Sequence, residues 1–149
     1  MATWSTIVNT LSAAVEGITP SVSASITFAE IETAEDIDTL PASQPYRRFF
    51  IEVGDATMSD DLWTHTSVRI NSDFTIIVSY KANRGPQGND RSLEEMIAVD
   101  RQQIISEMLK DTSRTSGQNW ISFRDASIER TDNRTFSNIS FTTSYDISY

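Results

Sequence analysis

Strict alternation of apolar and polar residues runs through the last part of the sequence. The alternating positions are Ile139, Phe141, Thr143, Tyr145, Ile147 and Tyr149. A two-residue period places these side chains on one face of a β-strand, and that face must be buried. An upstream run with the same period contains Phe74, Ile76, Val78 and Tyr80. The sequence therefore predicts a sheet with one buried face.

Other segments have weaker strand patterns. Alternation predicts a short strand at Ala24, Ile26 and Phe28, and another over residues 47–53. The polar break at residues 71–73 predicts a hairpin between two short strands. Two closing strands are expected over residues 120–130, with an interruption near Arg124 and Asp125, and over residues 135–149. Fully extended, the last run would span roughly 50 Å, so we expect it to bend or to reach past its own sheet.

Two segments have helical periodicity. Residues 4–18 repeat apolar side chains every three or four positions, and Gly17 and Pro20 end that run. A second helix is predicted over residues 92–111, where Ser92 and Glu95 have the spacing of a capping box. The expected fold is α+β, a mainly antiparallel sheet with two principal helices packed on one face. We expect a single domain over residues 1–149, because no repeat or linker divides the chain.

Charge and composition exclude several functional classes. The 149 residues include no cysteine, which excludes disulfides and thiolate chemistry. The net charge is −9, and no Lys or Arg precedes Arg47. Proteins that bind nucleic acid depend on basic side chains, so DNA or RNA binding is not expected. No apolar run approaches the ~20 residues of a membrane span, and the first residues lack a signal-peptide pattern, which predicts a cytoplasmic protein without membrane contact.

Catalysis has little support in the sequence. His65 is the only histidine. Ser67 and either Asp60 or Asp61 would supply the other two residues of a Ser-His-Asp triad, but nothing beyond their proximity in the sequence supports that interpretation. Hard cations bind clustered carboxylates, but none of the acidic pairs fits the calcium-loop pattern, and we interpret them as solvated surface. These pairs are Glu30/Glu32, Asp36/Asp38, Asp60/Asp61 and Glu94/Glu95. We predict no catalytic residue, metal ligand or cofactor. A small metal-dependent or hydrolytic enzyme is the alternative, and it requires a deep pocket converging on His65 or on these pairs.

The order of predicted elements resembles the tail terminator, or tail completion, proteins of long-tailed bacteriophages. The resembling stretches are residues 4–18, 47–53, 74–81, 100–105 and 136–149. The resemblance implies an antiparallel sheet with helices on one side, and a homohexameric ring that ends tail-tube growth and joins the head to the tail. Its implied partners are further copies of itself, the tail tube protein and a neck or head-completion protein, with DNA passing through without specific binding. The implied location is the virion, at the head–tail junction, after assembly in the host cytoplasm. Another neck, head-closure or tail-tube subunit is the neighbouring alternative.

Two sets of residues are candidates for roles in such a ring. Arg47 and Arg48, the first cations after an acidic stretch, and Tyr149 are candidate subunit-interface residues. The second set is acidic and would line a channel that repels phosphate. These candidate lining residues are Glu30, Glu32, Glu35, Asp36 and Asp38.

Overall fold

The computed structural model describes residues 3–31, 46–63, 67–81, 90–131 and 134–148. Two helices and five strands make up this part of the chain. In chain order they are α1 (Trp4–Glu16), β1 (Ala29–Glu30), β2 (Arg48–Trp63), β3 (Ser67–Lys81), α2 (Asp90–Met108), β4 (Gln118–Arg130) and β5 (Arg134–Ser148). A single 3-10 turn, Asp111–Ser113, lies between α2 and β4.

The strands form one sheet in the order β1-β2-β3-β5-β4. Only the two-residue strand β1 is parallel to its neighbour, and it pairs with the first two residues of β2. The pairs β2–β3, β3–β5 and β4–β5 are all antiparallel. The predicted α+β class and the mainly antiparallel sheet are therefore confirmed.

One face of the sheet carries the core, as its alternation predicts. Phe74 pairs with Phe141, and Ile76 pairs with Ile139, so their side chains lie side by side on this face. All four are fully buried, and the Phe74 and Phe141 rings stack with their centroids 5.3 Å apart. We call this the core face of the sheet. Buried residues of both helices belong to the same apolar cluster; these are Ile7, Leu11, Val15, Leu93, Met96, Ile97, Ile104 and Met108.

The first helix begins at a capping box made of two threonines. The Thr3 hydroxyl accepts a hydrogen bond from the Thr6 backbone N–H, and the Thr6 hydroxyl accepts one from the Thr3 backbone N–H. The capping box predicted for α2 is wrong, because that helix begins at Asp90 and places Ser92 inside its first turn. The usual capping-box pattern is Ser or Thr followed three residues later by Glu or Gln, which Ser92 and Glu95 match but Thr3 and Thr6 do not.

The hairpin predicted at residues 71–73 is also wrong, because β3 runs through this segment without a break. Each polar residue here has a polar partner on β5: Asn71 pairs with Ser144, Ser72 with Thr143, and Asp73 with Thr142. Backbone pairing continues through this segment, and the Asp73 carboxylate also accepts a hydrogen bond from the Thr142 hydroxyl, so the polar run does not end the strand. The same pairing corrects the expectation that the last strand reaches past its sheet, since β5 is paired along its whole length with the equally long β3.

The interruption predicted near Arg124 is confirmed as a bulge. The register of β4 against β5 shifts between Phe123 and Asp125. A second bulge lies in β2, between Val53 and Ala56. Bulges are enriched at sheet edges, where they bend the strand and interrupt the regular pairing locally.

Candidate functional site

Arg47 is fully buried and uses every one of its N–H donors inside the chain. Its Nε and Nη2 atoms donate to the two carboxylate oxygens of Asp100, each at 2.8 Å. The remaining three N–H groups donate to the backbone carbonyls of Val22, Ser23 and Ile26. A guanidinium has five such donors, so none is left for a partner.

The predicted role of Arg47 in a subunit contact is therefore corrected. Its backbone φ is +56°, in the left-handed region that non-glycine residues rarely adopt. That conformation costs roughly 1–2 kcal/mol, which the hydrogen bonds of the guanidinium offset. The bonds join the segment around Val22 to α2 through Asp100. Arg47 is thus a structural cation that joins distant parts of the chain.

Asp100 is the centre of this buried cluster. Besides Arg47, it accepts a hydrogen bond from the Tyr80 hydroxyl at 2.8 Å. Burial raises the pKa of the Asp100 carboxyl, while the bonds from Arg47 and Tyr80 oppose that rise. Burial also raises the pKa of Tyr80 well above 10.0, and the neighbouring Asp100 charge adds to that effect. All three side chains have no exposed surface, so they are out of reach of a substrate.

A signal for this cluster was present in the sequence. Asp100 follows Met96 by four residues and precedes Ile104 by four, so it lies on the apolar stripe of α2. A charged residue on such a stripe requires a buried partner of opposite charge. Nothing in the sequence indicates that the partner is Arg47, which lies 53 residues away.

The other predicted interface residues have different outcomes. Arg48 is partly exposed, and its buried Nε atom has no hydrogen-bond partner within the described part of the chain. Its role in a subunit contact stays a prediction. Tyr149 lies outside the described residues.

Most of the predicted acidic lining also lies outside the described residues. Glu32, Glu35, Asp36 and Asp38 belong to that group. Glu30 is exposed on β1 and accepts a hydrogen bond from the Ser12 hydroxyl. The channel-lining role of all five residues stays a prediction.

The two outermost long strands have open edges. β1 covers β2 only at Arg48 and Phe49, so the outer edge of residues 50–63 has no strand partner within the ranges that the structure describes. β4 pairs with β5 on one side, and its other edge, over residues 118–130, likewise has no strand partner among the described residues. Each open edge presents a row of backbone N–H and C=O groups that can pair with another strand.

Exposed apolar side chains line both open edges. Val53 and Met58 on β2 are 52% and 57% exposed. Trp120, Phe123 and Ile128 on β4 are 39%, 42% and 42% exposed. Large apolar side chains beside an unpaired edge are typical of a surface that contacts another protein.

One row of side chains crosses the whole core face and connects these edges. Val53 pairs with Phe74, Phe74 pairs with Phe141, and Phe141 pairs with Phe123. The two inner rings are fully buried, whereas Val53 and Phe123 at the ends of the row are 52% and 42% exposed. The alternation predicts Val53 as a buried residue, but its place at the edge of the sheet leaves half of it uncovered.

The opposite face of the sheet is polar and contains paired charges. Arg69 Nε donates to Asp146 at 2.9 Å across β3 and β5. Arg124 donates to Asp73 at 2.7 Å, and the Thr142 hydroxyl donates to the same carboxylate. The hydrogen bond from Arg69 lowers the pKa of Asp146. Burial of the carboxyl opposes this decrease, and a hydrogen bond from Asn119 adds to it.

The Asp146 pair predicts a specific loss of stability in acid. A carboxyl whose pKa is lowered by folding stabilises the protein above its unfolded pKa, near 3.8. That stability is lost as the pH falls through the folded-state pKa. We therefore expect Asp146→Asn to reduce the free energy of unfolding at pH 5 more than at pH 2, measured by urea unfolding at both values. Glu129→Gln, at an exposed position of β4, is the matched control; equal losses at both pH values for Asp146→Asn contradict the prediction.

Shallow grooves follow the helices. Two of them, of about 420 and 580 Å³, share Gly17 and Glu107 in their walls. Their polar lining residues are mainly uncharged, and Glu107 is paired with Lys110 at 2.8 Å. No group of three His, Cys, Asp or Glu side chains among the described residues has the arrangement of a metal site. In the same part of the chain, no helix is long and apolar enough to cross a membrane.

The residues of the enzyme alternative do not form a described site. Glu94 and Glu95 are exposed on α2, which agrees with their interpretation as solvated surface. His65 lies outside the described residues. No protein-family model matches this chain, and no curated protein matches it. The functional proposal therefore depends on the surfaces of the molecule itself.

Proposed function

We propose that this protein is a structural subunit that assembles with copies of itself into a closed ring, as a phage tail terminator does. The outer edges of β2, from residue 50 onward, and of β4 have no strand partner among the described residues, and this observation carries the proposal. Exposed strand edges are a liability in a protein that works alone, since they promote pairing with other chains. A protein that works as an assembled ring buries them.

The two edges lie at opposite ends of the sheet and have different sequences. Contact between them is therefore head-to-tail, and such contacts form a ring when the rotation between neighbours closes. This topology supports a cyclic assembly in preference to a simple two-fold dimer. We propose a hexamer, the number that the resemblance to tail terminators implies.

The proposed fold of the subunit has both helices on one face of the sheet. The apolar cluster shared by the helices and the core face supports this arrangement. The opposite face then remains available for neighbours or for a lumen. Its paired charges and hydroxyl groups suit contact with water.

The net charge of −9 fits a ring that DNA crosses without binding. A surface of that charge repels phosphate, so it does not retain the passing duplex. We propose the end of the tail tube and a neck or head-completion protein as the partners on the two sides of the ring. The place of action is then the head–tail junction of the virion.

Mixing the purified protein with tail tubes of the cognate phage tests this function. We expect it to bind one end of each tube and to prevent further growth when free tube subunits are added. Negative-stain images give tube lengths with and without the protein. Long tubes formed by the protein alone would instead identify a tube subunit, and tubes that keep growing in its presence would contradict the terminator role.

A further inference from the structure

We infer that the outer edge of β4 on one copy pairs antiparallel with the outer edge of β2 on the next, with Phe123 beside Val53. This inference rests on the proposed self-assembly and specifies the contact that produces it. It follows from strand direction and from the row of side chains across the core face, and the charges of the two edges are compatible with it.

Strand direction determines that the pairing is antiparallel. β2 runs against β3, β3 against β5, and β5 against β4. β4 therefore runs opposite to β2 within one copy. When the next copy has the same orientation, as ring symmetry requires, its β2 is also opposite to the adjoining β4.

The row of side chains across the core face, called the aromatic row because three of its four members are phenylalanines, determines the register. Residues in this row, from Val53 through Phe74 and Phe141 to Phe123, lie directly across from one another. A neighbour related by rotation around the ring continues the row at the same height, so its Val53 lies next to Phe123. The contact buries an exposed aliphatic side chain against an exposed ring, and both core faces become continuous.

The remaining surface of β2 favours β4 as its occupant. Between Arg48 and Arg69 the chain has no Lys or Arg, but it carries Glu52 and Asp55, both exposed. β4 presents exposed Arg124 and Arg130 beside exposed Asp125 and Glu129, so the charges of this edge balance. A second β2 edge would set two acidic pairs against each other, whereas the balanced β4 edge does not. Arg124, which donates to Asp73 in its own copy, lies next to the neighbour's acidic pair in the inferred register.

β1 limits the contact to the part of β2 that follows Phe49. Because β1 occupies the edge beside Arg48 and Phe49, the incoming strand meets β2 only from residue 50 onward. The first part of β4, residues 118–125, provides the paired segment. The bulges near Val53 and Phe123 lie beside each other in this arrangement and discourage sliding to another register.

Disulfide cross-linking tests the register, because the chain has no cysteine of its own. The double variant Val53→Cys with Phe123→Cys places one thiol on each edge. Within one copy the two positions are three strand spacings apart, roughly 14 Å, which is too far for a disulfide. Oxidation should therefore join different copies, giving a ladder of covalent oligomers that ends at the subunit number of the ring. Val53→Cys with Ile128→Cys is the matched control and should give no ladder, since Ile128 lies farther along β4.

A second measurement uses the unmodified protein. Hydrogen exchange of the ring should be slowed at least tenfold over residues 50–58 and 118–125, relative to dissociated subunits. The inferred contact is wrong, while the proposed function stands, if the double variant assembles but gives no ladder. The same holds if the unmodified protein assembles but shows no such protection. A ladder of equal strength from the control pair also refutes the register. A protein that remains monomeric in every condition contradicts the proposed function itself.

Discussion

Replacing Asp100 with Ala is expected to lower the free energy of unfolding by about 3–5 kcal/mol, the usual cost of leaving one member of a buried ion pair without its partner. Arg47 would keep its charge in a site with no exposed surface, and two of its donors would lose their acceptors. Typical domains have only about 5–15 kcal/mol of stability, so this variant should unfold in mild urea. Equilibrium urea unfolding followed by circular dichroism measures the loss.

Two further variants separate the ion pair from general damage to the fold. Asp111→Ala also removes an Asp–Arg pair, with Arg114, but that carboxylate is 91% exposed, and the expected cost is about 0–1 kcal/mol. Tyr80→Phe removes only the hydroxyl bond to Asp100. Because the two residues share this bond, the Asp100→Ala and Tyr80→Phe losses should not add, with a coupling of about 0.5–3 kcal/mol. A cost for Asp100→Ala no larger than that for Asp111→Ala would contradict the structural role of the cluster.

Lysine at either end of the aromatic row is expected to abolish ring formation. Val53→Lys and Phe123→Lys each place a charge in the proposed contact, where burial without a partner costs about 3 kcal/mol or more, or roughly a hundredfold in affinity. Neither variant should lose its fold, since both positions are about half exposed in the single subunit. Ala98→Lys, which adds the same charge at an exposed position of α2, is the matched control and should assemble normally.

Mixing the two lysine variants gives a sharper result. Val53→Lys retains an intact β4 edge, and Phe123→Lys retains an intact β2 edge. A head-to-tail contact can therefore form once between them, and we expect a one-to-one heterodimer that cannot grow further. Light scattering of the mixture detects the doubled mass. Failure of both variants to associate with each other, while Ala98→Lys still forms rings, would exclude the pairing of these two edges.

Local periodicity predicted much of the fold. The alternation in β3 and β5 and the apolar stripe of α1 are short-range signals, and the structure confirms all three. The break expected at residues 71–73 was wrong for a long-range reason, since β3 stays paired there with Ser144, Thr143 and Thr142, which lie 69 to 73 positions away along the chain. No local pattern contains that information.

The candidate site was harder to predict from the sequence. Arg47 has the appearance of a surface cation in a strand, and only its bonds to Asp100 and to three distant carbonyls show that it is buried. The exposure of Val53 depends on its strand having, among the described residues, a partner on one side only at that point. Both outcomes are set by tertiary topology, which a two-residue period does not encode.

The mass of the purified protein in solution tests the central claim most directly. Multi-angle light scattering should give one discrete species whose mass is an integer multiple of the 16.7 kDa chain, with six copies expected for a terminator. Negative-stain images of the same sample should show closed rings of uniform diameter. If the protein is instead a 16.7 kDa monomer at high concentration, and remains so when tail tubes are added, the account of this chain as a ring-forming subunit is contradicted.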